Sequence, residues 1–179
     1  MDFQNDFVTS APDQKPMECV AANIPRVVDY SRNLGVEVMF VQFLGDEVYQ
    51  PPTWRGRNQA QGQAPRCLEG SWGAKLFGNI AARDKEQVFK KKAHYDPFLS
   101  TEFGQYMTHQ NIEHLVVIGL YADICVDATV RGAFQRGLWT TVVSDCTVTL
   151  HLPMEQILEY MHKVYGSVIV SASQLNWKT

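Results

Sequence analysis

Three residues of this 179-residue chain are placed to do chemistry together: Asp2, Lys92 and Cys125. Cys125 follows the apolar run His114-Leu115-Val116-Val117-Ile118, which ends at Gly119, and opens a segment that reads as helical from Asp123 to Arg136. A cysteine on the first turn of a helix feels the positive end of the helix dipole, which favours thiolate over thiol. Each residue alone has a plainer reading. Asp2-Phe3-Gln4-Asn5-Asp6-Phe7 suits a turn rich in Asn and Asp, Lys90-Lys91-Lys92 suits a solvated run, and Cys125 suits a small buried hydrophobe. What lifts the chemical reading is that all three fall where a parallel strand should end.

The elements around them follow from pattern. Asn23 can cap a helix running to Leu34, with Pro25 in its first turn and Gly35 at its end. Val36 to Phe43 is a β-branched and aromatic run, hence a strand. From Leu44 to about Ser71 prolines, glycines and polar residues recur without period, which reads as a long functional loop or lid. A strand near Gln87 to Lys91, a helix from about Thr101 to Gln110, the strand ending at Gly119 and the helix of Cys125 come next. A strand from Trp139 to Ser144, a helix from Pro153 to about Val164 and a strand from Ser167 to Ser171 complete the series. Strands alternating with helices imply an α/β fold, a three-layer doubly wound (Rossmann-like) arrangement around a mainly parallel sheet. Ligands of such sheets bind beyond the carboxyl ends of the strands.

The bulk numbers narrow the classes. Residues 1–179 suit a single domain, and 45% hydrophobic with 20% charged residues is ordinary for a globular protein. A formal net charge of -3 gives no reason to expect nucleic acid or an anionic membrane surface as partner. No apolar stretch approaches transmembrane length. Cys19, Cys67, Cys125 and Cys146 form no Cys-x-x-Cys pair, which speaks against a disulfide scaffold and fits a reducing, cytoplasmic setting.

Taken together, the motifs resemble those of the isochorismatase-like cysteine hydrolase superfamily. Asp2-Phe3-Gln4-Asn5-Asp6-Phe7 looks like its opening motif and Lys92-Ala93-His94-Tyr95 resembles its Lys-x-x-Tyr motif. Gly119-Leu120-Tyr121-Ala122-Asp123-Ile124-Cys125-Val126 resembles its nucleophile segment, and Val143-Ser144-Asp145-Cys146 its next strand end. The resemblance implies a six-stranded sheet, Cys125 as nucleophile, Asp2 as general acid and base, and Lys92 as the third member. It also implies a cis peptide bond at Leu120–Tyr121 that aims the N–H groups of Tyr121 and Cys125 at a developing oxyanion. Relatives carry an apolar strand before the opening aspartate, so the first strand is expected upstream of Met1, outside this sequence.

Nicotinamidases within this superfamily hold a metal with histidines of the long loop. Here no histidine lies between Leu44 and Ala93, and the five histidines are not paired at ligand spacing, so no metal and no cofactor is expected. Thr53-Trp54-Arg55-Gly56-Arg57-Asn58 and Arg66-Cys67-Leu68-Glu69-Gly70-Ser71-Trp72 resemble the carbamoyl and ureido amidohydrolase branch. The implied activity is cleavage of a C–N bond in a small carboxamide, carbamoyl or ureido substrate through a thioester. A nicotinamidase-like amidase and a non-catalytic scaffold are the alternatives. Phe7, Trp54, Trp72 and Tyr121 are candidates for an apolar slot, Arg55 or Arg57 for clamping a carboxylate, and His151 for a supporting role. A homodimer or larger homo-oligomer is the expected assembly.

Overall fold

A computed structural model describes residues 1–175. The elements are α1 (Asn5–Thr9), α2 (Gln14–Asn33), β1 (Met39–Leu44), α3 (Pro52–Ala60), β2 (Gln87–Lys92) and α4 (Thr101–His109), then β3 (His114–Val117), α5 (Asp127–Phe134), β4 (Trp139–Val143), α6 (Met154–Tyr165) and β5 (Val168–Val170). All strand pairs are parallel: β1 with β2, β3 with β4, and β4 with β5.

Neighbouring residues on a strand face opposite sides, and here both sides are covered. Phe40 and Val143 pack with Val20, Ile24, Val27 and Val28 of α2. Val41 and Val142 pack with Phe103 and Met107 of α4, Val130 of α5, and Ile157 and Met161 of α6. The three-layer α/β arrangement expected from the alternation is therefore what the packing shows. The strands are five rather than six among the described residues, in two groups, β1–β2 and β3–β4–β5. Residues 1 and 2 join the groups. The Met1 amine donates to Ile118 O (2.9 Å), Leu120 N donates to Met1 O (3.0 Å) and Asp2 N donates to Val41 O (2.8 Å). Beside this join an apolar cavity of about 230 Å³ lies between β1 and β3, walled by Val27, Phe40, Leu115 and Ile118 among others.

Two elements differ from the sequence reading. Helix α2 starts at Gln14, nine residues before Asn23, with the Asp13 side chain accepting from Lys15 N. Buried Met17, Val20, Ile24, Val27, Val28 and Ser31 keep one face at helical spacing through the whole element. That continuous apolar stripe outweighs Pro25, which sits inside the helix. The long loop contains α3, with Pro51 as its N-cap and Pro52 at its first position, where a missing N–H costs nothing.

Candidate active site

Strand β2 alternates: Phe89 and Lys91 are buried, whereas Val88, Lys90 and Lys92 are exposed. Lys91 therefore points from the strand end into the protein, and Lys92 points away. The Lys91 ammonium donates to Asp2 Oδ2 (2.5 Å) and to Tyr95 O (2.8 Å), and neither Lys91 nor Asp2 has any exposed side-chain surface. Lys92 instead lies over the Tyr49 ring, its Nζ 4.7 Å from the centroid. The expectation for Lys92 is thus corrected by one position. A one-residue step along a strand reverses the face, so the two lysines cannot share a role.

Asp2 is held by its backbone and by Gln4. The Gln4 side chain donates to Phe43 O and Ala74 O (both 2.9 Å) and accepts from Phe43 N (2.8 Å), extending the open edge of β1. Asp2 itself has φ +47°, a left-handed conformation costly for most residues and common where function demands a fixed aim. Gly119 is needed beside it. Its φ is +116°, and a Cβ there would stand 1.9 Å from Met1 O.

Cys125 belongs to a π-helical turn, Ala122–Val126, that leads into α5. The Leu120–Tyr121 peptide bond preceding this turn is cis. Among the described residues, no acceptor takes the Tyr121 N–H. Burial, the largest influence, pushes the Cys125 thiol up; the Lys91 charge draws it down and Asp2 raises it further. Lys91 feels the converse. Burial lowers its pKa, but the Asp2 and Cys125 charges and hydrogen bonds outweigh burial and raise it. The second Asp2 oxygen, Oδ1, is buried and has no hydrogen-bond partner. A buried carboxylate lone pair left open beside a thiol is the arrangement needed to accept its proton.

Cys125 opens into a cavity of about 520 Å³. Phe7, Trp54, Arg57 and Tyr121 line it, as does His151. Tyr121 is fixed by donating its hydroxyl to Phe7 O (2.6 Å). Trp72 does not join them: it is 60% exposed, and only its carbonyl is used, accepting from Asn5 Nδ2 (2.8 Å). The backbone of this segment is tied to α1, with Asp6 N donating to Gly73 O (3.1 Å), and a Cβ at Gly73 would stand 2.1 Å from Asp6 Oδ2. Arg55 is exposed and lies outside the cavity lining. The rim is secured by Asp123, whose carboxylate accepts from the N–H groups of Leu150 (2.9 Å), His151 (2.7 Å) and Leu152 (3.0 Å).

A profile of the isochorismatase domain matches residues 1–173. The chain belongs to the isochorismatase family. It is 25% identical over 171 residues to the ureidoacrylate amidohydrolase RutB of Variovorax paradoxus, covering 88% of this chain and 62% of that protein. With the isochorismatase family protein YddQ of Bacillus subtilis it shares 26% over 176 residues, covering 94% and 88%. Among solved structures, N-carbamoylsarcosine amidase from Thermoplasma acidophilum superposes with a TM-score of 0.83 at 22% identity, covering 98% of this chain and 95% of that one. The nicotinamidase of Bacillus subtilis superposes with a TM-score of 0.80 at 19% identity, covering 95% and 96%. At these identities the superpositions speak for the fold.

Within this isochorismatase fold, Gln50 lines the cavity and carries no sequence signal of its own; Asn58 Nδ2 donates to its Oε1 (3.2 Å), and Tyr95, the last residue of the Lys-x-x-Tyr match, lines the cavity too. Lys91 did carry a signal, the parity of β2. No group of three or more His, Cys, Asp or Glu side chains among the described residues is arranged to hold a metal ion. All four cysteines are free thiols, and no helix of the described residues is long and apolar enough to cross a membrane.

Proposed function

We propose that this chain is a cysteine hydrolase that cleaves a C–N bond of a small carboxamide, carbamoyl or ureido compound. One observation carries the reading: a fully buried Asp2–Lys91 pair closes on Cys125, with one Asp2 oxygen left without a partner. Support comes from the family and from the relatives named for ureidoacrylate and N-carbamoylsarcosine.

In this reading Asp2 takes the Cys125 proton as the sulfur attacks the substrate carbonyl. Burial disfavours the free thiolate, and the Lys91 charge partly offsets that cost. Lys91 stays charged and offsets the negative charge shared by sulfur and carboxylate. The Tyr121 and Cys125 N–H groups receive the oxyanion. Collapse breaks the C–N bond, the nitrogen leaves with the proton from Asp2, and a thioester remains on Cys125. Water, deprotonated by Asp2, then attacks the thioester; the C–S bond breaks and the thiol recovers its proton.

The test is a screen of carboxamides, carbamoyl amino acids and ureido acids for ammonia or amine release, run beside Cys125→Ala. Turnover that depends on Cys125, with an acyl adduct on that residue by mass spectrometry, is the expected result. Turnover retained in Cys125→Ala would sink the covalent route.

A further inference from the structure

We infer that Asp123 is a positioning residue: it fixes the spacing between the nucleophile turn and the neighbouring wall of the cavity, and so decides which acyl groups reach Cys125. The inference rests on the hydrolase reading above and deepens it, assigning the specificity of that site to a side chain outside the cavity lining.

Two stretches distant in sequence form this side of the cavity. Leu120, Tyr121, Ile124 and Cys125 come from the nucleophile turn and its approach, whereas Leu150 and His151 come from the irregular segment leading into α6. The two backbones run together only briefly: Gly119 N donates to Cys146 O (2.9 Å) and Ala122 N donates to Val148 O (2.8 Å). Beyond Val148 this ladder stops. Among the described residues, the hydrogen bonds of residues 149–152 all end on Asp123: Oδ1 accepts from Leu150 N, and Oδ2 accepts from His151 N and Leu152 N. Helix α6 adds no anchor at its start, where Pro153 is the N-cap and makes no side-chain bond. The wall that carries Leu150 and His151 therefore hangs on one carboxylate of the nucleophile turn.

Other carboxylates serve the backbone more thinly. The Asp96 side chain accepts from Phe98 N (2.9 Å) and that of Asp145 from Ala172 N (2.7 Å), one N–H each. Three charge-assisted bonds from consecutive N–H groups leave the Leu150–Leu152 backbone little freedom. A carboxylate suits this, because both of its oxygens accept; a carboxamide of the same shape turns an NH₂ toward one of the donors. The nucleophile does not depend on Asp123 in the same way. Its turn keeps its own bonds, Ile124 N and Val126 N both donating to Tyr121 O (3.0 and 3.1 Å), and the charges that act on the Cys125 thiol are those of Lys91 and Asp2. Releasing the segment should thus widen the site without disarming the thiol. A wall of this kind touches ground state and transition state alike, so its loss falls on KM rather than on kcat.

The test compares a small and a bulky alkylating reagent, iodoacetamide and N-phenyl iodoacetamide, with modification at Cys125 read by peptide mass spectrometry. Thiol reactivity cancels in the ratio of the two rates, which leaves the fit of the cavity. The preference for the small reagent should fall on the order of 10-fold in Asp123→Ala, and less in Asp123→Asn, which keeps one acceptor oxygen. An unchanged ratio in a folded Asp123→Ala protein would overturn the inference. A second measurement needs no variant. In the wild-type chain the amides of Leu150, His151 and Leu152 should exchange with deuterium on the order of 100-fold more slowly than in a free peptide, although the His151 and Leu152 side chains are exposed. Exchange at the free-peptide rate overturns the inference even where the variants do not fold. On a compound turned over in the screen above, Asp123→Asn should raise KM on the order of 10-fold and change kcat by less than about threefold. A fall in kcat with KM unchanged overturns the positioning role and leaves the hydrolase. No turnover of any compound, with the alkylation ratio still dependent on Asp123, overturns the hydrolase and leaves the positioning role.

Discussion

Lys91 Nζ stands 2.5 Å from Asp2 Oδ2, and the two side chains are wholly enclosed. A buried ion pair is a poor source of stability, because the desolvation of both charges offsets their attraction. Its position against Cys125 gives it another use. The pair holds a carboxylate and an ammonium together inside a dry site beside the thiol.

Replacing Lys91 should therefore differ sharply from replacing Lys92. Lys91→Met leaves the Asp2 charge buried and alone, so a loss of about 3–5 kcal/mol is expected along with activity. Lys92→Met removes an exposed charge over Tyr49 and should change stability by less than about 1 kcal/mol and turnover by less than about twofold. Urea unfolding and amide hydrolysis on both variants decide it. Equal losses in the two would contradict the parity of β2.

That parity was readable in the sequence. Phe89 must face a core, side chains two apart on a strand share a face, and so Lys91 accompanies Phe89 inward. Reading the lysine from a motif rather than from the alternation placed it one residue late. The strand end before Cys125 was legible because an apolar run, Gly119 and a helical segment mark it, whereas the reading of Asp2 rested on the likeness of Asp2-Phe3-Gln4-Asn5-Asp6-Phe7 to a family motif. Helix α3 was not legible, since Pro51, Pro52 and Gly56 resemble loop composition while its support comes from Trp54 packing on Phe43 and Tyr95. Trp72 was misplaced for a related reason. Its segment packs on α1 through the Gly73–Asp6 approach, a meeting of residues 67 apart that no local pattern reveals.

Gly119→Ala tests the join between the two strand groups. The new methyl would collide with the Met1 carbonyl, and φ +116° is strained for any L side chain. Because Met1 and Asp2 are consecutive, the displacement should move Asp2 from Lys91. Expected are a loss of more than about 3 kcal/mol and a fall in turnover. Gly137→Ala provides the control. Its φ of +78° carries the backbone strain, yet nothing lies within 4 Å of the added Cβ, so stability should drop with the site intact.

Activity should persist after exhaustive dialysis against a strong chelator. The long segment between Leu44 and Ala93 has no histidine, and the cavity lining has a single one, His151. Activity lost on dialysis and restored by zinc or iron would point instead to a metal-assisted amidase.

Stability should decline at alkaline pH through the site itself. Cys125 is raised by burial, and Lys91 is raised because Asp2 outweighs its burial, so both hold protons longer folded than unfolded. The unfolded chain sheds those protons first, starting near the ordinary thiol pKa of about 8.5 and then near the ordinary lysine value of about 10.4. Folding free energy is thus unaffected by these groups below about pH 8 and falls above it, by up to about 1.4 kcal/mol per pH unit for each group. Cys125→Ala removes one contributor, whereas Cys67 and Cys146, also raised by burial, remain. A urea midpoint that falls less steeply between pH 8.5 and 10 in Cys125→Ala is expected. Identical slopes would mean the thiol is not shielded as drawn.

The charge state of the site separates the roles of Asp2 and Lys91. Asp2 raises the Cys125 pKa and Lys91 lowers it, so the two substitutions shift thiol alkylation in opposite directions. Lys91→Met should move the iodoacetamide profile to higher pH, because the thiolate loses its cation. Asp2→Asn should move it to lower pH, because a negative neighbour is gone, and alkylation at neutral pH should quicken. Turnover should nonetheless collapse in Asp2→Asn, by on the order of 100-fold or more, since the leaving nitrogen then receives no proton. Faster alkylation with slower hydrolysis in one variant is a signature that general destabilisation does not produce, because unfolding would expose all four thiols together. If Asp2→Asn slows alkylation and hydrolysis alike, Asp2 shapes the site without moving its proton.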